Sequence, residues 1–264
     1  MKRPWLFGAQ LLLTLLVCAF MLVPVLMSLL AGLTRNYFQG LSSGLTFDWI
    51  VQVWQAYSPT VWLSLQLAVA CAVCVCVIGV PAAYALVRMN NRFSRAFEEL
   101  MVLPVAMPGL ASALALLLTY GQFGSFRSSW LFILVGHVLF TLPFLVRPVM
   151  AVMQRQHLPV LEEAAASLGA GPLRRFFGIV VPNCRAGILA GVLMVVTLSL
   201  GEFNLTWMLH TPMTKTLPVG LADSYASARL EVASAYTLIF LLMIVPLLVA
   251  LQAISARLSR GAQR

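Results

Sequence analysis

Six long apolar stretches dominate the chain, at about 8–33, 61–86, 100–120, 130–152, 186–209 and 233–256, and shorter polar segments separate them. At about 1.5 Å rise per residue, each reaches or approaches the roughly 30 Å of a bilayer core. Apolar and polar residues do not alternate with the period of two that a lipid-facing strand requires. Helices satisfy their own backbone groups in lipid, so the pattern predicts an all-α, polytopic membrane protein with six transmembrane helices. Composition agrees. With 61% hydrophobic and 9% charged residues and a mean hydropathy of +0.94, the 264 residues carry too little polar surface to cover a soluble globule.

The formal net charge of +9 is distributed in a way that orients the chain. Lys2, Arg3, Arg88, Arg92, Arg95, Arg147, Arg155, Arg174, Arg175, Arg185, Arg257, Arg260 and Arg264 fall on one side of the six spans, thirteen of the seventeen basic residues. Only Arg35, Arg127, Lys215 and Arg229 fall on the other. The positive-inside rule then places both termini, and the loop after the fourth span, in the cytoplasm. The charge is a topology signal and gives no reason to expect nucleic-acid binding. The first apolar run is longer than the ~7–15 residues of a signal-peptide core and no small-residue cleavage site follows, so it reads as a retained span. Three domains are expected: 1–59 as first span and extracytoplasmic loop, 60–256 as the core with a cytoplasmic loop at about 153–185, and 257–264 as a basic tail. Trp49, Trp54 and Tyr57 suit an interfacial segment at the outer face. Cys18, Cys71, Cys74, Cys76 and Cys184 lack the spacing of a zinc or redox framework and read as small buried apolar residues.

The cytoplasmic loop after the fourth span is the most informative segment. Pro159 suits the first turn of a helix, and Leu161 to Leu168 are mostly good helix formers, with Glu162 and Glu163 near the positive end of its dipole. Gly169 tolerates the left-handed conformation that ends helices, and Gly171-Pro172 combines a hinge with the start of a second helix. Phe176, Phe177, Ile179 and Val180 give that helix an apolar face, with Arg174 and Arg175 toward solvent or headgroups. Such a hairpin can seat in a groove on a soluble partner.

Other segments carry candidate chemistry. Pro104 and Pro108-Gly109 predict a break in the third span, either at a moving part of a path or as a static kink. Pro143 and Pro148 invite the same reading in the fourth. Glu202 is ionisable within the fifth span, which makes it a functional candidate by default, while a helix-helix contact is the bland alternative. Counting about 1.5 Å per residue from the outer ends of their spans puts Glu202 and His137 at similar depth, so His137 or Asn204 is expected among the polar groups available to Glu202. Gly40-Leu41-Ser42-Ser43-Gly44 matches G-x-S-x-G without the strand-to-helix elbow or triad partners that pattern needs, since His137, His157 and His210 have no evident place in such a fold. The only lysines are Lys2 and Lys215, so no phosphate-cradling G-x-x-x-x-G-K is present. The chain offers no cofactor or metal site of its own.

Glu163-Ala164-Ala165, then three residues, Gly169, nine residues, Ile179, one residue, Val181 and Pro182 resembles the cytoplasmic EAA loop of type I ABC importer permeases, the binding-protein-dependent inner-membrane components. Val181 stands where leucine is usual. The resemblance implies the type I importer permease fold, a non-enzymatic role and a bacterial inner-membrane location. It also implies two ABC ATPase subunits docking at Glu163, Ala164, Ala165, Gly169, Ile179 and Pro182, a second permease that is identical or homologous, and an extracytoplasmic solute-binding protein. Ser199 to Asn204 and Thr216-Leu217-Pro218-Val219 look like the corresponding segment of 2-aminoethylphosphonate permeases, and also resemble ferric iron, polyamine and thiamine permeases. Two other readings stay open from the residues alone. In a secondary transporter or channel Glu202 would be the ion site; an intramembrane hydrolase would need a nucleophile and base at matching depth.

Overall fold

The computed structural model describes residues 4–155 and 158–260; Lys2, Arg3, His157 and the end of the basic tail, including Arg264, lie outside them. Apart from one isolated bridge between Thr34 and Leu45, the regular structure among the described residues is helical. Three helices are long, apolar and unbroken in the way the sequence predicts: α1 (Pro4–Ala31), α7 (Trp130–Arg155) and α14 (Leu230–Arg260). The helix at the second apolar stretch, α2 (Asp48–Met89), has 42 residues instead of the 26 or so expected. Its first turns absorb Trp49, Trp54 and Tyr57, so the aromatic segment assigned to a loop is helical. Asp48 favours that start through the dipole, and the Trp49 indole N–H donates to the Thr34 carbonyl at 2.9 Å.

The third and fifth spans depart from single straight helices. The third is α3 (Arg92–Leu100), α4 (Leu103–Ala106) and α5 (Gly109–Tyr120), with a bend of 103° between the parts before and after Met107-Pro108. Met107 and Pro108 are extended, with ψ of 145° and 133°, and Pro108 has no N–H to continue a helix. At 12 residues α5 covers only about 18 Å, so the stretch at 100–120 is a broken span, interrupted at the Pro108-Gly109 position where the sequence predicts a break. A short α6 (Gly124–Ser128) precedes α7. The fifth span, α11 (Arg185–Gly201), stops at Glu202 and resumes as α12 (Asn204–Leu209), which breaks the helix expected through 186–209. Helix α13 (Leu217–Ala226) follows.

Two compact units emerge. One comprises the described residues up to Ser58 with Gly220–Met243. Within it Glu231 accepts the Tyr37 backbone N–H at 2.8 Å, and Arg229 donates to the Tyr57 hydroxyl at 2.9 Å. A Cβ on Gly32 would lie 2.8 Å from the Ser234 carbonyl carbon, so only glycine lets those backbones meet. Cys18 is exposed on α1, against the expectation that all five cysteines are buried, because this helix presents its side chains outward.

The other unit comprises Pro59–Val219 with the stretch from Ile244 onward, and it holds every candidate site residue. Its centre is the packing of α11 on α7. Gly187 and Gly191, one helical turn apart, face Pro148 and Leu145, where an added Cβ would come within 2.7 Å and 2.8 Å of α7 backbone atoms. Small residues at that spacing let two helices approach closely where lipid supplies no hydrophobic drive.

Candidate functional site

The loop after the fourth span folds as the hairpin its sequence predicts. Helix α8 (Leu158–Ser167) ends at Gly169, whose φ is +82°. Ala170 N–H donates to the Ala165 carbonyl at 2.9 Å and Gly169 N–H to the Ala166 carbonyl at 2.9 Å, the paired bonds that close a left-handed helix terminus. Pro172 then opens α9 (Pro172–Arg175), a π turn (Phe176–Val180) and α10 (Val181–Asn183) follow, and the chain bends by 71° into α11. Glu163 and Ala164 are exposed, Ala165 and Ile179 half-buried, and Pro182 exposed. Around them Val160, Leu168, Leu173 and Phe177 are at least 64% exposed, an apolar rim unusual on a segment outside the spans. Arg174 is exposed as expected, whereas Arg175 is half-buried with its Nε enclosed and without a bond.

Sequence reasoning missed the residue that fixes this hairpin in place. Glu162, not Glu163, is buried, at 1% exposure; its Oε2 accepts from Arg88 Nη1 at 2.6 Å and from the Tyr84 hydroxyl at 2.7 Å. Leu158, Glu162 and Ala165 share one face of α8, so an acid on the apolar stripe was a legible signal. Tyr84 and Arg88 are one turn apart at the end of α2. Phe176, from the other arm of the hairpin, packs edge-on against Tyr84 at 5.3 Å.

The second constellation lies at the two broken spans. Gly109 opens α5 so close to α12 that a Cβ there would sit 3.1 Å from Asn204 Cβ and 3.7 Å from Glu202 Oε1. The structure therefore brings the break residue Gly109 against the candidate path residues Glu202 and Asn204. Leu103, Pro104, Gly109, Ser112, Glu202 and Leu205 help line a cavity of about 410 Å³, with a mainly apolar wall. Glu202 is half-buried; Oε1 accepts from Leu205 N–H at 2.9 Å, and Oε2 accepts from Thr206 N–H and the Thr206 hydroxyl, both at 2.9 Å. The carboxylate thus caps the amides freed where α11 stops.

His137 and Glu202 do not pair directly. Thr206 stands between them, with its hydroxyl oxygen 2.8 Å from His137 Nε2, while His137 Nδ1 lies 2.8 Å from Ser199 Oγ. The Thr206 hydroxyl therefore bridges the Glu202 carboxylate and the imidazole, and both ring nitrogens of buried His137 have a hydroxyl partner. Thr141 donates to the His137 carbonyl at 2.7 Å. Asn204 is exposed and joins none of these bonds. Downstream, Leu217 N–H donates to Ser64 Oγ at 2.8 Å, which ties the Thr-Leu-Pro-Val segment to α2. Gly40-Leu41-Ser42-Ser43 forms a 3-10 turn in which Ser42 donates to the Gln39 carbonyl, far from elbow geometry.

Residues 75–261 match the family described as "Binding-protein-dependent transport system inner membrane component". The chain belongs to that family, the permeases of ABC importers. It is 29% identical over 227 residues to the putrescine transport system permease protein PotI of Escherichia coli, covering 83% of this chain and 79% of that protein. It is 24% identical over 255 residues to the putative 2-aminoethylphosphonate transport system permease protein PhnV of Salmonella typhimurium, covering 94% of each. A chain of a bacterial ABC transporter that imports the polysaccharide alginate has the same fold, with a TM-score of 0.72 at 16% identity over 97% of this chain and 96% of that one. The all-α, multi-pass architecture read from the apolar stretches, and the permease fold and inner-membrane location implied by the EAA-like loop, are therefore correct.

Proposed function

We propose that this permease imports a small solute by alternating access, driven by two ATPase subunits that seat on the α8–α10 hairpin. A second permease chain, identical or homologous, completes the path, and an extracytoplasmic protein delivers the solute. The observation that carries this reading is the hairpin itself: a glycine-closed turn on which Glu163, Leu168, Leu173 and Phe177 are all exposed. Hydrolysis belongs to the ATPase subunits. Both termini and the hairpin are cytoplasmic in this reading, because thirteen basic residues lie on that side.

The cargo we infer is 2-aminoethylphosphonate, supported by the relative that covers 94% of both chains. Putrescine is the second reading, favoured by PotI at 29% identity. The two share an alkylammonium and differ in net charge. The test is proteoliposome uptake with the complete transporter, measured in parallel with labelled 2-aminoethylphosphonate competed by unlabelled putrescine and with labelled putrescine alone. ATP-dependent uptake unaffected by putrescine is the expected outcome. Uptake of putrescine alone would move the assignment to the second reading, and accumulation that follows an ion gradient without ATP would overturn the ATP-driven mechanism.

A further inference from the structure

ATP-driven movement of a docked hairpin reaches the membrane only if the hairpin is tied to a span by something stiffer than its own chain. Glu162 supplies such a tie. Its carboxylate is buried, and its two partners come from 74 and 78 residues earlier in the chain, both on the last turns of α2. A carboxylate that has lost its water is held in place by a charged guanidinium and a phenol, and these charge-assisted bonds are short and directional. Arg88 keeps 46% of its side chain exposed, so its charge stays partly hydrated while the carboxylate does not. Its guanidinium also lies 5.7 Å from the centre of the Tyr84 ring, which orders the pair of donors. The other arm of the hairpin reaches the same point, since Phe176 rests on Tyr84 and Phe177 on Phe176 at 5.0 Å. Both arms therefore converge on one turn of α2.

We propose that Arg88, Tyr84 and Glu162 form a latch that makes the docking hairpin and the cytoplasmic end of α2 move as one body. Glu162 is a positioning residue in this role. The exposed Glu163 and the apolar rim meet the partner, and the buried Glu162, bonded to Arg88 and Tyr84 of α2, passes the displacement to the span. Without the latch, the hairpin still docks but shifts relative to α2. ATP is then hydrolysed with less solute moved.

The inference rests on the proposed docking of ATPase subunits at the hairpin, and its test separates the two. The complete transporter is reconstituted with Glu162→Gln, with Arg88→Gln, and with the exchange Arg88→Glu plus Glu162→Arg. ATPase co-purification, ATP hydrolysis and solute uptake are measured on each. The expected result is co-purification as in the wild type, with ATP hydrolysed per solute imported rising roughly three- to thirtyfold in the single variants. The exchanged pair is expected to recover part of that loss. A reduced yield of folded protein alone leaves this ratio unchanged, so an unchanged ratio in both single variants overturns the latch. Failure of the wild-type hairpin to hold an ATPase overturns the docking reading instead. A second measurement needs no change in the latch: spin labels at Ala85 on α2 and Ala166 on α8 report their separation with and without ATP. A constant distance through the cycle is expected, and separation of the two helices on ATP binding overturns the proposal even if the variants fail to fold.

Discussion

At the scale of single residues, the fifth span shows how far a sequence carries a site and where it stops. Counting residues from the ends of two spans places His137 and Glu202 at one depth, and in the structure a single hydroxyl separates them. Depth is legible because helical rise is nearly constant. Rotation about the helix axis is not legible, and neither is the stop at Glu202 that turns its carboxylate onto the amides of Leu205 and Thr206. Thr206 was missed for that reason, since a threonine four residues after an acid reads as an ordinary helix position. Thr206→Val keeps the shape, removes the hydroxyl shared by Glu202 and His137, and leaves the buried imidazole and the half-buried carboxylate each short of a partner. A loss of about 1–3 kcal/mol is expected, read as a lower melting temperature of the purified permease in detergent. An unchanged melting temperature would mean that water replaces the hydroxyl. Glu202→Leu is a separate case. It uncaps α12 beside the cavity and is expected to impair uptake, while ATPase association at the distant hairpin persists; normal uptake by this variant removes Glu202 from the mechanism.

At the scale of elements, the hairpin was the most legible part because its signals are local. Pro159 near a start, Gly169 at a stop and Pro172 at a restart act through backbone rules that need no tertiary partner. The π turn at Phe176–Val180 carries no such local mark. Nor does the bend of the third span follow from proline content alone, since Pro143 and Pro148 lie inside α7 without breaking it, whereas Met107-Pro108 ends α4 and starts α5. The difference is the adjoining Gly109, where α12 approaches within reach of a missing side chain. Gly169 allows a clean test, because nothing lies within 4 Å of where its Cβ would be and the only obstacle to a side chain is φ. Gly169→Val is expected to cost about 1–2 kcal/mol at that turn and to lower ATPase co-purification, with membrane insertion intact. Co-purification and uptake both at wild-type level would dismiss the turn as a determinant of docking.

At the scale of the whole molecule, sidedness is written in the placement of basic residues, since lysine and arginine near a span resist translocation. Arg174 and Arg175 lie on the hairpin, Arg88 and Arg92 flank the end of α2, and Arg35 stands alone in the loop that carries Gly40 and Gly44. A cysteine introduced at Gly44 in a variant without native cysteines is therefore expected to react with an impermeant maleimide applied to intact cells. One introduced at Arg174 is expected to react only after the membrane is opened. Labelling of both positions in intact cells, or of neither, would put the two loops on the same side and end the six-span arrangement.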